Sequence, residues 1–382
     1  MYTIFDYGYM MVDELRTQAY VRALRQAVKP GAVVLDIGTG AGIFALLACQ
    51  FGARQVYAIE PNDAIQLARE LAAANGFSER ITFIQDLSTQ VTLPKQADVI
   101  ISDLRGVLPL LQQHIPAIID ARRRFLAPGG ILIPQRDQLW AAVVEAPDLF
   151  EPYLNPWVDN GYKLNLQAGR QLVTNSWGKG RSAPDGFLVE PHCWATLDYA
   201  MIESSNLRAE VTWPVRRSGT AHGLSLWFEA TLAEGIGFST APDQPELIYG
   251  SAFFPWSAPV NLAEGDTVRV TLQANLVGDD YIWRWDSCIL AQGQLGQVKA
   301  NFKQSTFLGV PLSSAQLRKR AAGYVPALNE SGQMTRLVLE LMDQAMPLQQ
   351  IADTLADQFP DCFPTRQAAL SRVGDLSLKY SR

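Results

Sequence analysis

Val33-Val34-Leu35-Asp36-Ile37-Gly38-Thr39-Gly40-Ala41-Gly42 decides the fold. Val33 to Ile37 is a short apolar strand, and Ala41 to Phe51 has helical composition. Between them Gly38-x-Gly40-x-Gly42 sends the backbone through a tight turn, where positions without side chains let a ligand lie against it. Taken alone, such a turn fits a plain strand-to-helix connection as well as a site. Working outward, Gln55 to Glu60 reads as a second strand and Asp63 to Asn75 as an Ala/Leu-rich helix. Ile81 to Gln85 and Asp98 to Ser102 read as further strands. Repeated strand-helix order predicts a parallel sheet covered by helices, an α/β Rossmann-like domain over residues 1–134.

Glu60 ends the second strand about 20 residues beyond the glycines, where a carboxylate accepts both ribose hydroxyl protons. Turn and carboxylate together predict a nucleoside cofactor. A dinucleotide fingerprint needs its third glycine at position 43, which is Ile43, so close packing for a pyrophosphate is not provided. S-adenosyl-L-methionine has no phosphate and asks the turn only to pass its methionine and ribose. The expected cofactor is therefore S-adenosyl-L-methionine, with S-adenosyl-L-homocysteine as its product.

The chain has 382 residues, 48% hydrophobic and 18% charged, enough for two or three domains with substantial cores. Its net charge of −6 gives no global field toward phosphate backbones or anionic lipid, so nucleic acid is set aside as a substrate. The N-terminus lacks a basic region followed by an apolar core, and no stretch offers about 20 uninterrupted apolar residues. A cytoplasmic protein without membrane contact is expected. Cys49, Cys193, Cys288 and Cys362 are scattered and only three histidines accompany them, so no metal site is expected.

Composition changes near Pro134. All nine tryptophans lie at position 140 or later, and residues 207–215, 224–233, 266–277 and 281–290 alternate or cluster β-branched and aromatic residues between turns. An antiparallel barrel or sandwich over 135–312 is expected, with Trp227, Trp256, Trp283 and Trp285 in its core. After Pro311 a polar, basic stretch (Ser313 to Arg320) leads into a helical segment. There Leu337, Leu341 and Met342 share a face, Pro347 suits a first helical position, and Ile351, Leu355 and Phe359 recur every four residues. This makes residues 325–382 a small domain of their own.

Asp13-Glu14-Leu15-Arg16-Thr17-x-x-Tyr20, Val34 to Gly42, Gly52-Ala53, Val56 to Glu60 and Pro128 to Pro134 resemble the protein arginine methyltransferases in order and spacing. The likeness continues through His222-Gly223-Leu224, Trp227-Phe228-Glu229, Ser239 to Pro242 and Gly265-Asp266-Thr267, which look like that family's β-barrel. The resemblance implies a class I methyltransferase in which Arg16 binds the cofactor's carboxylate and Glu60 its ribose. A guanidinium also offers a carboxylate a bidentate fork on physical grounds. The candidate cofactor residues are Arg16, Asp36, Gly38, Gly40, Gly42, Glu60 and Asp86. Asp86 reads equally as a turn residue, and the family's adenine-contacting glutamate aligns with Thr89.

The resemblance also implies two glutamates in the loop after the fourth strand, holding a guanidinium acceptor. Here that loop reads Ser102-Asp103-Leu104-Arg105 through Gln112-Gln113, with Asp103 at the first glutamate position and Gln112 at the second. A neutral amide in place of a carboxylate weakens a hydrogen bond to a cation by about 1 kcal/mol or more. Arg105 adds a positive charge beside it, so a guanidinium is disfavoured. The family's Thr-His-Trp loop aligns on Leu247-Ile248-Tyr249, with Ile248 unable to carry a proton, and the closing N-terminal helix is reduced to Phe5 and Tyr7. Asp103 is the candidate catalytic residue, an orienting group or weak base, with a cap or turn role equally open. His222 reads as structural, and His114 carries no motif.

Leu328 to Gly332 and Pro347 to Phe359 resemble the PqqD-like winged-helix domains, which bind leader segments of precursor peptides as an added strand. A helical cap or assembly element is the other reading. The resemblances together imply a methyltransferase acting on an N or O nucleophile of a precursor peptide in natural-product maturation. The alternatives are a protein arginine methyltransferase with a degenerate acceptor loop and a small-molecule enzyme. A homodimer through an arm near Leu149 to Trp157 is implied by the first family.

Overall fold

The computed structural model describes residues 3–158, 161–293 and 297–381. The chain divides into two compact units, residues 1–311 and 312–382. The first opens with α1 (Ile4–Val12) and α2 (Glu14–Ala27). Then β1 (Val33–Ile37), α3 (Ile43–Gln50), β2 (Gln55–Ile59), α4 (Ala64–Ala74), β3 (Ile81–Ile84), β4 (Ala97–Ser102), α5 (His114–Phe125) and β5 (Leu126–Ile133) build a five-stranded sheet. Its order is β3-β2-β1-β4-β5 and every ladder is parallel. β1 is buried along its whole length because helices cover both faces, which is why it reads as an unbroken apolar run. Strand order reverses between β1 and β4, and the crevice beyond the strand ends at such a point is where α/β sheets bind ligands.

The chain continues with β6 (Arg136–Val144), α6 (Pro147–Val158), α7 (Gln167–Val173), β7 (Gly178–Lys179), β8 (His192–Asp198) and β9 (Leu207–Pro214). β10 (Gly219–Ala233), β11 (Ile236–Ser239), β12 (Ala252–Leu262), β13 (Thr267–Val277), β14 (Asp280–Leu290) and β15 (Val298–Phe302) complete it. They form two antiparallel sheets, β7-β12-β10-β6-β8 with β11 beside β10, and β15-β14-β13-β9. No ladder joins the two among the described residues, so what is seen is a pair of sheets, not a continuous barrel wall. Trp256, Trp283 and Trp285 are buried within it, and Phe254 meets the last two edge-on at 5.2 Å.

The second unit holds α8 (Ser314–Arg320), α9 (Glu330–Asp343), α10 (Leu348–Gln358) and α11 (Arg366–Tyr380). Asn329 and Thr365 cap α9 and α11 by accepting backbone N–H bonds, and Pro347 stands at the start of α10. Val338, Ile351, Leu355, Ala369, Val373 and Leu376 form its core. Among its described residues there is no strand, so the wing of a winged helix is not present. No helix of the described residues is long and apolar enough to cross a membrane.

Candidate active site

A cavity of about 620 Å³ opens at the strand ends of the parallel sheet, between the β1 turn, the segment after β2, the loop after β4 and the stretch before β12. Gly38 and Gly40 adopt φ of 70° and 52°, the left-handed region glycine enters at no steric cost. A Cβ on Gly38 would lie 2.4 Å from the Leu104 side chain, and one on Gly40 2.4 Å from the Tyr7 ring. Gly38, Thr39 and Ala41 face the cavity, whereas Gly40 and Gly42 are not part of its wall. Gly42 instead allows α4 to approach, since its Cβ would sit 2.8 Å from that of Ala68.

Asp36 is 1% exposed and off the cavity wall; its carboxylate accepts the Thr39 hydroxyl at 2.6 Å. Burial pushes its pKa up to about 7, against the Thr39 bond that lowers it. It braces the glycine turn from off the cavity wall. Glu60 does line the cavity. Its Oε2 accepts the Gly40 N–H at 3.1 Å, and its Oε1 accepts the Asn62 backbone and side-chain N–H at 3.0 and 2.7 Å. No cation pairs with it among the described residues, and each oxygen retains acceptor capacity for a ribose hydroxyl. Asp86 is half-buried on the wall with its Oδ1 turned to the Leu87 N–H, while Thr89 is exposed and off it. The buried residue that lines this edge is Ser88.

The N-terminal helix expected to be reduced to two aromatic residues is present as α1. Thr3 and Asp6 close it with a reciprocal capping box, and Asp6, Tyr7, Tyr9, Met10 and Met11 line the cavity. The Met10 carbonyl accepts from Arg16 Nη1 at 3.1 Å. Arg16 also donates from Nε and Nη2 to Asp103 Oδ2 at 2.9 and 2.5 Å, and from Nε to the Tyr249 hydroxyl at 3.0 Å. Each terminal nitrogen keeps one further N–H for a carboxylate.

Asp103 caps no helix: its oxygens go to side chains. Oδ2 takes the Arg16 bonds and the Tyr249 O–H at 2.5 Å, and Oδ1 takes Arg105 Nη1 at 3.2 Å. Burial works to raise its pKa, but the two guanidinium groups overcome that and hold it below the usual carboxylate range. A carboxyl held that way stays ionised and is a weaker base than a free one. Arg105 is not a free charge at the acceptor, contrary to the sequence expectation. It is buried, paired with Asp137 of β6 at 2.7 and 2.9 Å, and bonded to the Tyr20 hydroxyl at 2.6 Å. Asp137 also accepts the Tyr199 O–H at 2.6 Å, and His114 Nε2 lies 3.2 Å from that hydroxyl. Burial pushes the His114 pKa down to about 4, keeping it neutral.

Gln112 lies on the wall with φ of 41°, a strained conformation for a residue with a Cβ. Ile248 sits at the rim, and its backbone N–H donates to Asp13 Oδ2 at 2.7 Å. His222 accepts the Ala146 N–H at Nδ1 and packs 5.3 Å from Phe150, away from the cavity. Sequence reading missed Tyr249, Asp137, Tyr199 and His114, because their partners come from strands and loops remote in the chain. No three His, Cys, Asp or Glu residues among those described form a metal-binding group.

Residues 15–151 match the ribosomal protein L11 methyltransferase family and residues 135–286 the arginine methyltransferase oligomerization subdomain. The chain is 31% identical over 287 residues to protein arginine N-methyltransferase 2 of Homo sapiens, covering 70% of this chain and 66% of that one. It is 27% identical over 271 residues to protein arginine N-methyltransferase 1 of Dictyostelium discoideum, covering 69% and 79%. The solved structure of Arabidopsis thaliana protein arginine methyltransferase 10 superposes with a TM-score of 0.70 at 24% identity, covering 79% of this chain and 97% of that one. A Trypanosoma brucei PRMT1 enzyme–prozyme complex with AdoHcy gives 0.70 at 20% identity, covering 78% and 96%.

The matched family models and relatives make this chain an S-adenosylmethionine-dependent methyltransferase of class I, with S-adenosyl-L-methionine as its cofactor. Within that class the chain is protein arginine methyltransferase-like. These relatives favour the arginine acceptor that the Gln112 and Arg105 reading had set aside, and they give the peptide-maturation role no support. Both family matches end before the second unit begins.

Proposed function

We propose that the protein is a protein arginine N-methyltransferase that holds its acceptor through one carboxylate instead of two. The observation that carries this is Asp103: an ionised carboxylate on the cavity wall, in the loop after β4, with acceptor capacity left on Oδ1. Bound cofactor supplies an electrophilic methyl group on a sulfonium. Glu60 takes the ribose hydroxyls, and the two unspent Arg16 N–H groups take the methionine carboxylate. Asp103 Oδ1 and the Gln112 amide oxygen accept N–H bonds from the guanidine, aligning one nitrogen with the methyl carbon. With the donor bound, that nitrogen would take the methyl group while sulfur kept the S–C electron pair, and the surplus proton would pass to water at the open rim.

In this reading residues 1–134 bind the donor and 135–312 complete the acceptor side. Residues 325–382 gather peptide substrate, the PqqD-like role, and α6 belongs to a homodimer arm. Without a strand to extend, a peptide on the second unit would use the shallow groove along α9 near Leu328, Gly332 and Leu339. Gln112 favours a second reading, a neutral amine or hydroxyl acceptor. Incubation of an arginine–glycine peptide and its lysine counterpart with tritiated-methyl cofactor tests the choice. Label in the arginine peptide alone is expected; equal label in both would sink the arginine reading.

A further inference from the structure

Tyr249 touches both Arg16 and Asp103, one residue from each half of the candidate reaction centre. It belongs to the segment between β11 and β12, is 6% exposed, and lines the cavity. Its ring stacks on Phe238 at 5.6 Å with planes 11° apart, and meets Phe228 edge-on at 5.3 Å. These contacts come from β10 and β11, so the antiparallel core fixes where the hydroxyl points. That hydroxyl donates to Asp103 Oδ2 at 2.5 Å and accepts from Arg16 Nε at 3.0 Å. Its single proton is committed to the carboxylate and its lone pair to the guanidinium.

We infer that Tyr249 is a positioning residue that ties the arginine of the donor site to the carboxylate of the acceptor site. Asp103 bonded only to two arginines would be free to slide along their edges, since guanidinium N–H groups offer several nearly equal partners. A third donor, approaching from the antiparallel sheets, fixes the rotation of the carboxylate and leaves Oδ1 toward the acceptor. The same oxygen anchors Nε of Arg16, so the remaining N–H groups of that guanidinium face the cofactor. Alignment of nucleophile and methyl carbon then depends on a residue that touches neither.

The inference rests on the acceptor reading of the Asp103 loop. Tyr249→Phe keeps the ring in its aromatic slot and removes only the hydroxyl. On the arginine–glycine peptide kcat is expected to fall at least about tenfold with KM little changed. Cofactor Kd, read by calorimetry without any acceptor, is expected to rise about threefold through Arg16. In an Asp103→Asn background the same replacement should change kcat less than about twofold, because its partner is gone. Wild-type kcat and Kd in Tyr249→Phe would overturn the inference, as would an equal loss in both backgrounds. Failure of the wild-type enzyme to methylate the peptide would instead count against the arginine reading, and the calorimetric arm still decides the role of Tyr249. Should Tyr249→Phe not fold, 3-fluorotyrosine at 249 preserves shape while strengthening the O–H donor; kcat and Kd unchanged by it would overturn the inference.

Discussion

Gln112 stands where a carboxylate would complete a guanidinium clamp, and its strained backbone already carries the loop around the cavity. Gln112→Glu is therefore expected to raise kcat/KM for an arginine peptide about tenfold, the equivalent of about 1.4 kcal/mol for a charge-assisted bond. Steady-state assays with wild type alongside check it, and an unchanged ratio would count against a cation at that wall. His114 yields a prediction in pH. Buried and neutral with a pKa near 4, against an ordinary 6.5, it binds its proton more readily once unfolded. Its contribution is complete above pH 6.5 and is lost as pH falls toward 4, amounting to about 3 kcal/mol at 1.36 kcal/mol per pKa unit. Denaturant midpoints of wild type and His114→Gln should converge as pH falls through this window; parallel curves would contradict it. That Glu60 would lie on the cavity wall was legible from its place at a strand end. The Asp36 side chain was not placed by the sequence, because a carboxylate at the end of β1 looks the same whether it faces the cavity or bonds Thr39 in the turn.

At the scale of elements, the parallel sheet was readable because buried parallel strands are short apolar runs punctuated by glycine turns. α1 was not. None of its described residues is buried, so no core contact marks it, and it is tied down by the Thr3–Asp6 cap and by bonds from Arg16 and Thr17 to the Met10 carbonyl. Because it buries so little, deleting residues 1–12 is expected to shift the melting temperature by only a few degrees. The same deletion removes a wall of the cavity and is expected to weaken cofactor binding about tenfold. Calorimetry on the truncated chain checks both, and unchanged affinity would show that α1 is no lid. The winged-helix reading of residues 325–382 has no strand to match it among the described residues, because four-residue spacing reports helices well but says nothing about the short strands a wing would need.

At the scale of the molecule, the network Arg16–Asp103–Arg105–Asp137 places two cations against two anions where the parallel and antiparallel sheets meet. Such a buried, balanced cluster is weak evidence for stability but fixes the geometry of the loop it contains. None of these pairings could be read from the chain, since residue 105 finds 137 only once β6 is laid down. The second unit has a core of its own, so removing residues 325–382 is expected to leave cofactor affinity unchanged while weakening capture of a long peptide substrate. Equal affinity for long peptides in both forms would refute its recognition role.

In the proposed reaction a guanidine nitrogen receives the methyl group beside Asp103. Fragmentation mass spectrometry of a protein or peptide acceptor, after incubation with deuterium-methyl cofactor, tests it most directly. Label on an arginine nitrogen is expected with wild-type enzyme, and its near absence with Asp103→Asn. Label on lysine, on a backbone or carboxyl atom, or undiminished label with Asp103→Asn would contradict it.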